Sequence, residues 1–271
     1  MRILSNFHTH STFCDGKNTP EEMVERAKQL GFTSLGFTSH AFSPDGEDWC
    51  LPREKELEYK NEIERLIYIN RKEIDVFLGL EVDVFSYETS FKPQYVIGSS
   101  HYVKCGDEFC GVDISSDVTE DTVKRHFGGD WYKFAEAYYE TAAKAAEITQ
   151  CDIVGHLDLV TKFNDGGKYF DENDLRYRTA AIDALRYEAE KCNVFEINTG
   201  AISRGYRKNP YPAPFLLKEM KALGCEIVIN SDAHSVEGLN CGFDIASQIA
   251  IECGFKYHLV LKGDKFERLP L

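Results

Sequence analysis

Hydrophobic and polar positions follow two alternating periods along this chain. Short, nearly continuous apolar runs rich in Val, Ile, Leu and Phe occur at 3–8, 33–39, 75–82, 95–101, 152–156, 194–198 and 226–231. Runs of that length and composition predict strands buried on both faces. Stretches at 20–30, 52–72, 119–149, 171–191, 212–223 and 240–253 space their apolar residues three and four apart and predict helices. Strand then helix repeats seven times if the link 83–94 counts as a degenerate crossover. That order belongs to a parallel α/β barrel or a doubly wound sheet.

Local signals support this register. Thr19-Pro20-Glu21-Glu22 is a capping box with proline at the first helical position, so the first helix starts sharply there and stops at Gly31. Gly224 and Gly254 stand where left-handed residues would close two later helices. No Ser-, Gly- or Pro-rich linker divides the chain, so residues 1–271 read as a single domain.

Composition narrows the class. With 43% apolar and 28% charged residues the chain is globular, and 271 residues can enclose a large core and a buried site. Thirty-one Lys and Arg against 45 Asp and Glu leave a net charge of −14, which repels polyanions and argues against a nucleic-acid partner. No apolar segment approaches the ~20 residues a membrane span needs, and the N-terminus lacks the apolar stretch of a signal peptide. The nine scattered cysteines contain no Cys-x-x-Cys pair and read as reduced thiols, which places the protein in the cytoplasm.

The candidate chemistry lies in the histidines. His8, His10, His40, His101, His156 and His234 each fall at or just beyond the carboxyl end of a predicted strand. In a parallel sheet those ends form one rim, where such folds place their sites. Asp15, Glu81 and Asp232 lie in the same places, giving nine side chains of ligand type. His8 and His10, two apart on an extended segment, point to one face and can grip one metal together. Mixed imidazole and carboxylate donors imply zinc, manganese or iron rather than magnesium or calcium. Nine donors exceed one ion's needs and suit three divalent ions with one bridging carboxylate. Three dications, three carboxylates and a bridging hydroxide sum to about +2, which matches the −2 of a phosphate monoester. His126 and His258, without carboxylate neighbours in sequence, read as ordinary surface or core residues.

In order along the chain stand His8-Thr9-His10-Ser11, Asp15-Gly16, Thr38-Ser39-His40, Gly79-Leu80-Glu81, Gly98-Ser99-Ser100-His101, Gly155-His156 and Ser231-Asp232-Ala233-His234. This series resembles the successive motifs of the polymerase-and-histidinol-phosphatase (PHP) superfamily. Gly155-His156-Leu157-Asp158-Leu159-Val160, and Glu196-Ile197-Asn198-Thr199 followed by Arg204 and Tyr211-Pro212, resemble its histidinol-phosphate phosphatases in particular. The resemblance implies a distorted seven-stranded (β/α)7 barrel with three metals at the C-terminal rim of the strands. By position, it implies that His8, His10, Glu81 and Asp232 hold the first ion. Glu81, His101 and His156 hold the second, and Asp15, His40 and His234 the third, so Glu81 is the bridge. An insertion in Gly200-Ala201-Ile202-Ser203-Arg204-Gly205-Tyr206-Arg207 leaves Arg204 or Arg207 as the phosphate-binding arginine, with Arg204 favoured.

The expected activity is hydrolysis of L-histidinol phosphate, in histidine biosynthesis, by a hydroxide bridging two metals. An alkoxide leaving group needs a proton donor, and Asp232 with His234 as its relay is the candidate. Lys162 is expected to assist at the phosphate, and Asp158 to recognise the cationic part of the substrate. The acidic, aromatic segment 42–50 reads as a lid over that part or a solvated loop. The rival readings are a diesterase or exonuclease of the same superfamily, a phosphatase of nucleotides or other small esters, a metal-binding module without turnover, and an amidohydrolase-type deaminase. The charge weighs against the diesterase and exonuclease.

Overall fold

The computed structural model describes residues 3–271 except 45 and 47. In chain order the strands are β1 (Ser5–Asn6), β2 (Ser34–Phe37), β3 (Asp75–Asp83), β4 (Tyr95–Ser99), β5 (Tyr102–Cys105) and β6 (Glu108–Gly111). They continue with β7 (Ile153–Val154), β8 (Val194–Asn198), β9 (Glu226–Asn230), β10 (Tyr257–Lys262) and β11 (Lys265–Pro270). The helices are α1 (Pro20–Leu30), α2 (Glu56–Asn70), α3 (Ser116–Phe127), α4 (Trp131–Ala142), α5 (Ala145–Thr149), α6 (Leu175–Ala189), α7 (Gly200–Ser203), α8 (Pro214–Leu223) and α9 (Phe243–Glu252).

All seven predicted strands are present, some shortened, and they form one parallel sheet in the order β1-β2-β3-β4-β7-β8-β9. The first and last strands meet just beyond their ends. His10 N–H donates to Ala233 O (2.8 Å) and Ala233 N–H to His8 O (3.1 Å), while the Asn230 side chain accepts from Phe7 N–H (2.8 Å). The sheet is therefore a nearly closed barrel, and the doubly wound alternative does not apply. Helix α1 begins and ends as its capping box and Gly31 require.

Two expectations change. The single helix expected over 119–149 is three, because Gly128 and Gly129 adopt left-handed backbone (φ 63° and 84°) and Asp130 then caps a new helix. Two antiparallel hairpins, β5–β6 and β10–β11, were not anticipated.

The barrel is filled from below. Leu259, Val260 and Leu261 of β10 pack with Phe77, Tyr95, Ile153 and Val194, which lie near the starts of their strands. Tyr95 crosses the interior and its hydroxyl donates to Phe7 O (2.6 Å). A side chain at Gly79 would lie 2.5 Å from the Tyr95 ring, so that strand has to be bare there. A second apolar layer, including Met23, Leu66, Phe134, Leu185 and Leu216, seals the helices to the outside of the sheet. With the lower end plugged by apolar residues, polar groups gather at the upper rim. No described helix is long and apolar enough to cross a membrane.

Candidate metal centre

Each short strand delivers its polar residues as the backbone leaves the sheet. His8 and His10 follow β1, His40 follows β2, Glu81 lies in β3, His101 follows β4, His156 follows β7, and Asp232 and His234 follow β9. Asp15 is brought in by the loop after β1, where Lys17 N–H donates to His234 O (2.8 Å). All nine expected ligands thus meet on one floor. Asp232 adopts left-handed backbone (φ 49°), unusual for a residue other than glycine and a strain of the kind found at functional positions.

Glu81 is the centre of this floor. Its Oε1 lies 2.9 Å from His156 Nε2 and 3.4 Å from His101 Nε2, and accepts from Ser99 Oγ (2.7 Å). Its Oε2 lies 2.8 Å from His40 Nδ1, 3.1 Å from His8 Nε2 and 3.5 Å from His10 Nε2. The two oxygens of one carboxylate therefore face two separate sets of imidazoles. Asp232 Oδ1 lies 3.2 Å from His10 Nε2, and Asp15 Oδ2 lies 3.1 Å from His234 Nε2.

A second ring of carboxylates orients these histidines, and it was not among the expected site residues. Glu196 Oε1 sits 2.7 Å from His8 Nδ1 and its Oε2 accepts from His156 N–H (3.1 Å). Asp83 Oδ2 accepts from His101 N–H (2.6 Å) and lies 3.2 Å from its Nδ1. Donation from Nδ1 to a carboxylate leaves Nε2 as the lone-pair atom, the arrangement by which metal-binding histidines are held. The signal was present for Asp83, two residues from Glu81 and so on the same strand face. For Glu196 it lay in the buried acid of the run 194–198.

The acids and imidazoles of this floor are tightly coupled. Burial pushes Glu81 and Asp232 up, but nearby His8, His40 and His101 for the first, and Arg204 and His8 for the second, outweigh it and hold both carboxyls well below their usual range. Burial, with His234 and His40 beside it, draws His10 down to about 3. Three buried atoms at the middle of the floor, His8 Nε2, His10 Nε2 and Glu81 Oε2, have no hydrogen-bond partner. Orphaned ligand atoms of this kind, with His8 Nε2 3.1 Å and His10 Nε2 3.5 Å from Glu81 Oε2, fit the coordination of cations better than a hydrogen-bonded network.

Above the floor opens a cavity of about 530 Å³. Arg204, Lys162, Asp113, Trp49, Tyr102 and Phe109 are among the residues that line it. The Arg204 guanidinium donates to Asp232 Oδ2 (2.9 Å) and Asp232 O (3.1 Å). Gly200 permits this pairing, since a Cβ there would lie 2.7 Å from Arg204 Nη2 and 2.8 Å from Asp232 Oδ2. Lys162 Nζ donates to Asp113 O (2.8 Å) and Asp113 Oδ2 (3.1 Å). Trp49, in the segment read as a lid or a solvated loop, stands with its ring 4.7 Å from His40 and 5.6 Å from His101. Asp45 and Glu47 of that segment lie outside the described residues.

Two expected substrate contacts are elsewhere. Asp158 is buried behind the cavity wall, where its Oδ2 accepts from Ala213 N–H (2.8 Å). Strand β7 stops at Val154, so Asp158 enters a turn (φ −111°, ψ 37°) instead of sharing the face of His156. The Arg207 side chain is turned onto protein partners, donating to Glu172 Oε1 (3.0 Å), Glu172 Oε2 (3.2 Å) and Thr161 O. Of the two arginines, only Arg204 borders the cavity.

Fold and site together define an α/β barrel with a histidine- and carboxylate-rich centre at the carboxyl ends of its strands. The family profile described as PHP domain matches residues 6–200. The chain belongs to the PHP-domain family. Among curated relatives, a Schizosaccharomyces pombe protein named "Probable histidinol-phosphatase" is 25% identical over 275 residues, covering 94% of this chain and 87% of the relative. A Deinococcus radiodurans protein of the same name is 31% identical over 248 residues, covering 86% and 87%. Two solved structures share the fold. One, described as the "putative histidinol phosphatase hisK" of Listeria monocytogenes, superposes with a TM-score of 0.78 at 18% identity, over 89% of this chain and 99% of the other. The second, histidinol phosphate phosphatase of Lactococcus lactis in complex with zinc, L-histidinol and phosphate, gives 0.69 at 23% identity over 98% and 100%.

Proposed function

We propose that this chain is a metal-dependent phosphomonoesterase that hydrolyses L-histidinol phosphate to L-histidinol and phosphate, in histidine biosynthesis. The observation that carries the reading is Glu81, with its two oxygens facing separate imidazole sets beneath a cavity rimmed by Arg204 and Lys162. The names of the relatives and the ligands of the Lactococcus lactis structure support the same substrate.

Three divalent ions of the zinc, manganese or iron type suit the donor set. His8, His10, Glu81 and Asp232 would hold the first, Glu81, His101 and His156 the second, and Asp15, His40 and His234 the third. When bound, they supply an activated water and positive charge against that of the phosphate. Arg204 presents two N–H groups to phosphate oxygens, and Lys162 adds a point charge. As the Arg204 fork moves onto phosphate, Asp232 loses the cation paired with its Oδ2 and becomes able to carry a proton to the leaving alkoxide. His234, whose Nδ1 lies 3.5 Å from Asp232 Oδ1, relays that proton. Trp49, Tyr102 and Asp113 offer aromatic and acidic surface to a cationic imidazole and amine. The net charge of −14 disfavours nucleic-acid substrates, and nine free cysteines suit the reducing cytoplasm.

A panel of histidinol phosphate, nucleoside monophosphates, sugar phosphates and a nitrophenyl diester, with metal measured on the same sample, tests the reading. Histidinol phosphate should give the highest kcat/KM, and comparable rates on the diester would displace the proposal.

Metals that bind only the folded chain stabilise it by mass action, about 4 kcal/mol when present at a thousand times Kd. Chelation should therefore lower Tm by roughly 10 °C at this chain length, and zinc or manganese should restore it. An unchanged melting curve for verified metal-free protein argues against the multinuclear centre.

A further inference from the structure

The β5–β6 hairpin forms part of the cavity wall and has two different faces. Its register pairs Tyr102 with Gly111, Val103 with Cys110, Lys104 with Phe109 and Cys105 with Glu108. Directly opposed residues share a face and the faces alternate, so Tyr102, Phe109 and Gly111 look into the cavity while Val103, Cys105, Glu108 and Cys110 look away from it. Behind them lies the last turn of α3, which carries His126. One ligand atom from each of Cys105, Cys110 and His126 lies within 4.8 Å of the others.

We propose that this back face is a second metal site, separate from the barrel floor, in which Cys105, Cys110 and His126 bind one divalent ion of the thiolate-preferring, zinc type. Ligand atoms around tetrahedral zinc stand about 3.4–3.8 Å apart, given metal–ligand lengths of ~2.0–2.3 Å, so small side-chain rotations close the group. His126 Nε2 is buried without a hydrogen-bond partner. The acid beside it, Glu108 at 3.3 Å, is already answered by Arg125, whose Nη2 donates to Oε2 at 3.0 Å. Two thiolates neutralise one dication, so the ion and its sulfur ligands together would carry no net charge. Glu108 Oε2 or a water completes four-coordination. Such an ion would tie the hairpin to α3 and stiffen the wall that presents Tyr102 and Phe109 to the cavity. The site stands independently of the reading given to the barrel floor.

Cobalt(II) is a spectroscopic probe for zinc, and sulfur ligation gives it a charge-transfer absorption that nitrogen and oxygen donors do not. The reduced, chelator-stripped full chain is titrated with cobalt(II) beside Cys105→Ser/Cys110→Ser, His126→Gln and Cys14→Ser. The last is needed because Cys14 Sγ lies 3.5 Å from His10 Nδ1 on the barrel floor. The band is expected in the parent and in Cys14→Ser and absent from the double variant, which should bind one equivalent of cobalt fewer. His126→Gln alters one half-buried residue and keeps the test readable if the double variant misfolds; it should weaken formation of the band at least tenfold. A parent without the band overturns the site, as does a double variant that keeps the band and its full cobalt content. Mass spectrometry of the native protein that finds Cys105 and Cys110 joined as a disulfide overturns it too.

Discussion

Glu81→Gln is expected to lower kcat on histidinol phosphate by roughly 10²–10³ or more, about 3–4 kcal/mol of transition-state stabilisation, with a fall in bound metal. The substitution keeps size and shape but removes the charge that lets the two carboxylate oxygens serve two cations. A neutral amide has one oxygen, and its NH₂ would be turned toward imidazole nitrogens that are themselves seeking a cation. Whichever way the amide lies, either the His101 and His156 side or the His8, His10 and His40 side loses its oxygen. Folding should survive, because the apolar layers on both sides of the sheet and the Tyr95 plug are untouched. The measurement is kcat, metal content and far-ultraviolet circular dichroism on variant and parent together. A folded variant with full metal content and less than tenfold loss would show that Glu81 does not bridge.

The barrel and its floor were legible in the sequence for one physical reason. Parallel strands buried on both faces must be apolar along their length, so a His, Asp or Glu at a strand's carboxyl end stands out against its neighbours. His8, His40, His101, His156 and His234 are all of this kind, and the structure brings them together. What depends on the direction of a chain after it leaves the sheet was not legible. Asp158 lies two residues after His156, a spacing that implies a shared face only while the strand continues, and β7 ends too soon. Arg207 was taken up by Glu172, 35 residues away in sequence, a pairing no local pattern displays. The β5–β6 hairpin mixes Lys, Cys and Glu with its aromatics, and its alternation is too short to stand out before the fold sets one side against the cavity. The Gly128-Gly129 break was visible as a breaker signal, yet the apolar spacing on either side runs in phase and concealed it.

The contrast between Arg204 and Arg207 gives the other large effect. Both side chains form ion pairs, but the pairs differ in what they face. Arg204 is 28% exposed at its side chain, borders the cavity and meets Asp232, whereas the Arg207 side chain is 8% exposed and closes over Glu172 and Thr161 O. A guanidinium that can move from a carboxylate to an incoming phosphate contributes to binding and to charge stabilisation in the transition state. One enclosed by its own partners contributes to folding. Arg204→Ala is therefore expected to lower kcat/KM by roughly 10²–10³ while leaving Tm within a few degrees of the parent. Arg207→Ala leaves Glu172 and the buried Asp158 without their cation, a loss of about 3 kcal/mol on the scale of broken buried pairs, or roughly 5–10 °C in Tm. Asp158 is already pushed up to about 6 by burial, with Arg207 the first group opposing that shift. Removing Arg207 should thus raise it further and make the variant's stability fall as pH rises from 4 toward 7. The folded carboxyl then holds its proton across a range in which the unfolded one has lost it. Steady-state kinetics at low temperature, where both variants remain folded, separates the two arginines. A large loss of activity in Arg207→Ala beside less than tenfold loss in Arg204→Ala would mean that Arg207 serves the phosphate, and that Arg204 is a surface partner of Asp232 alone.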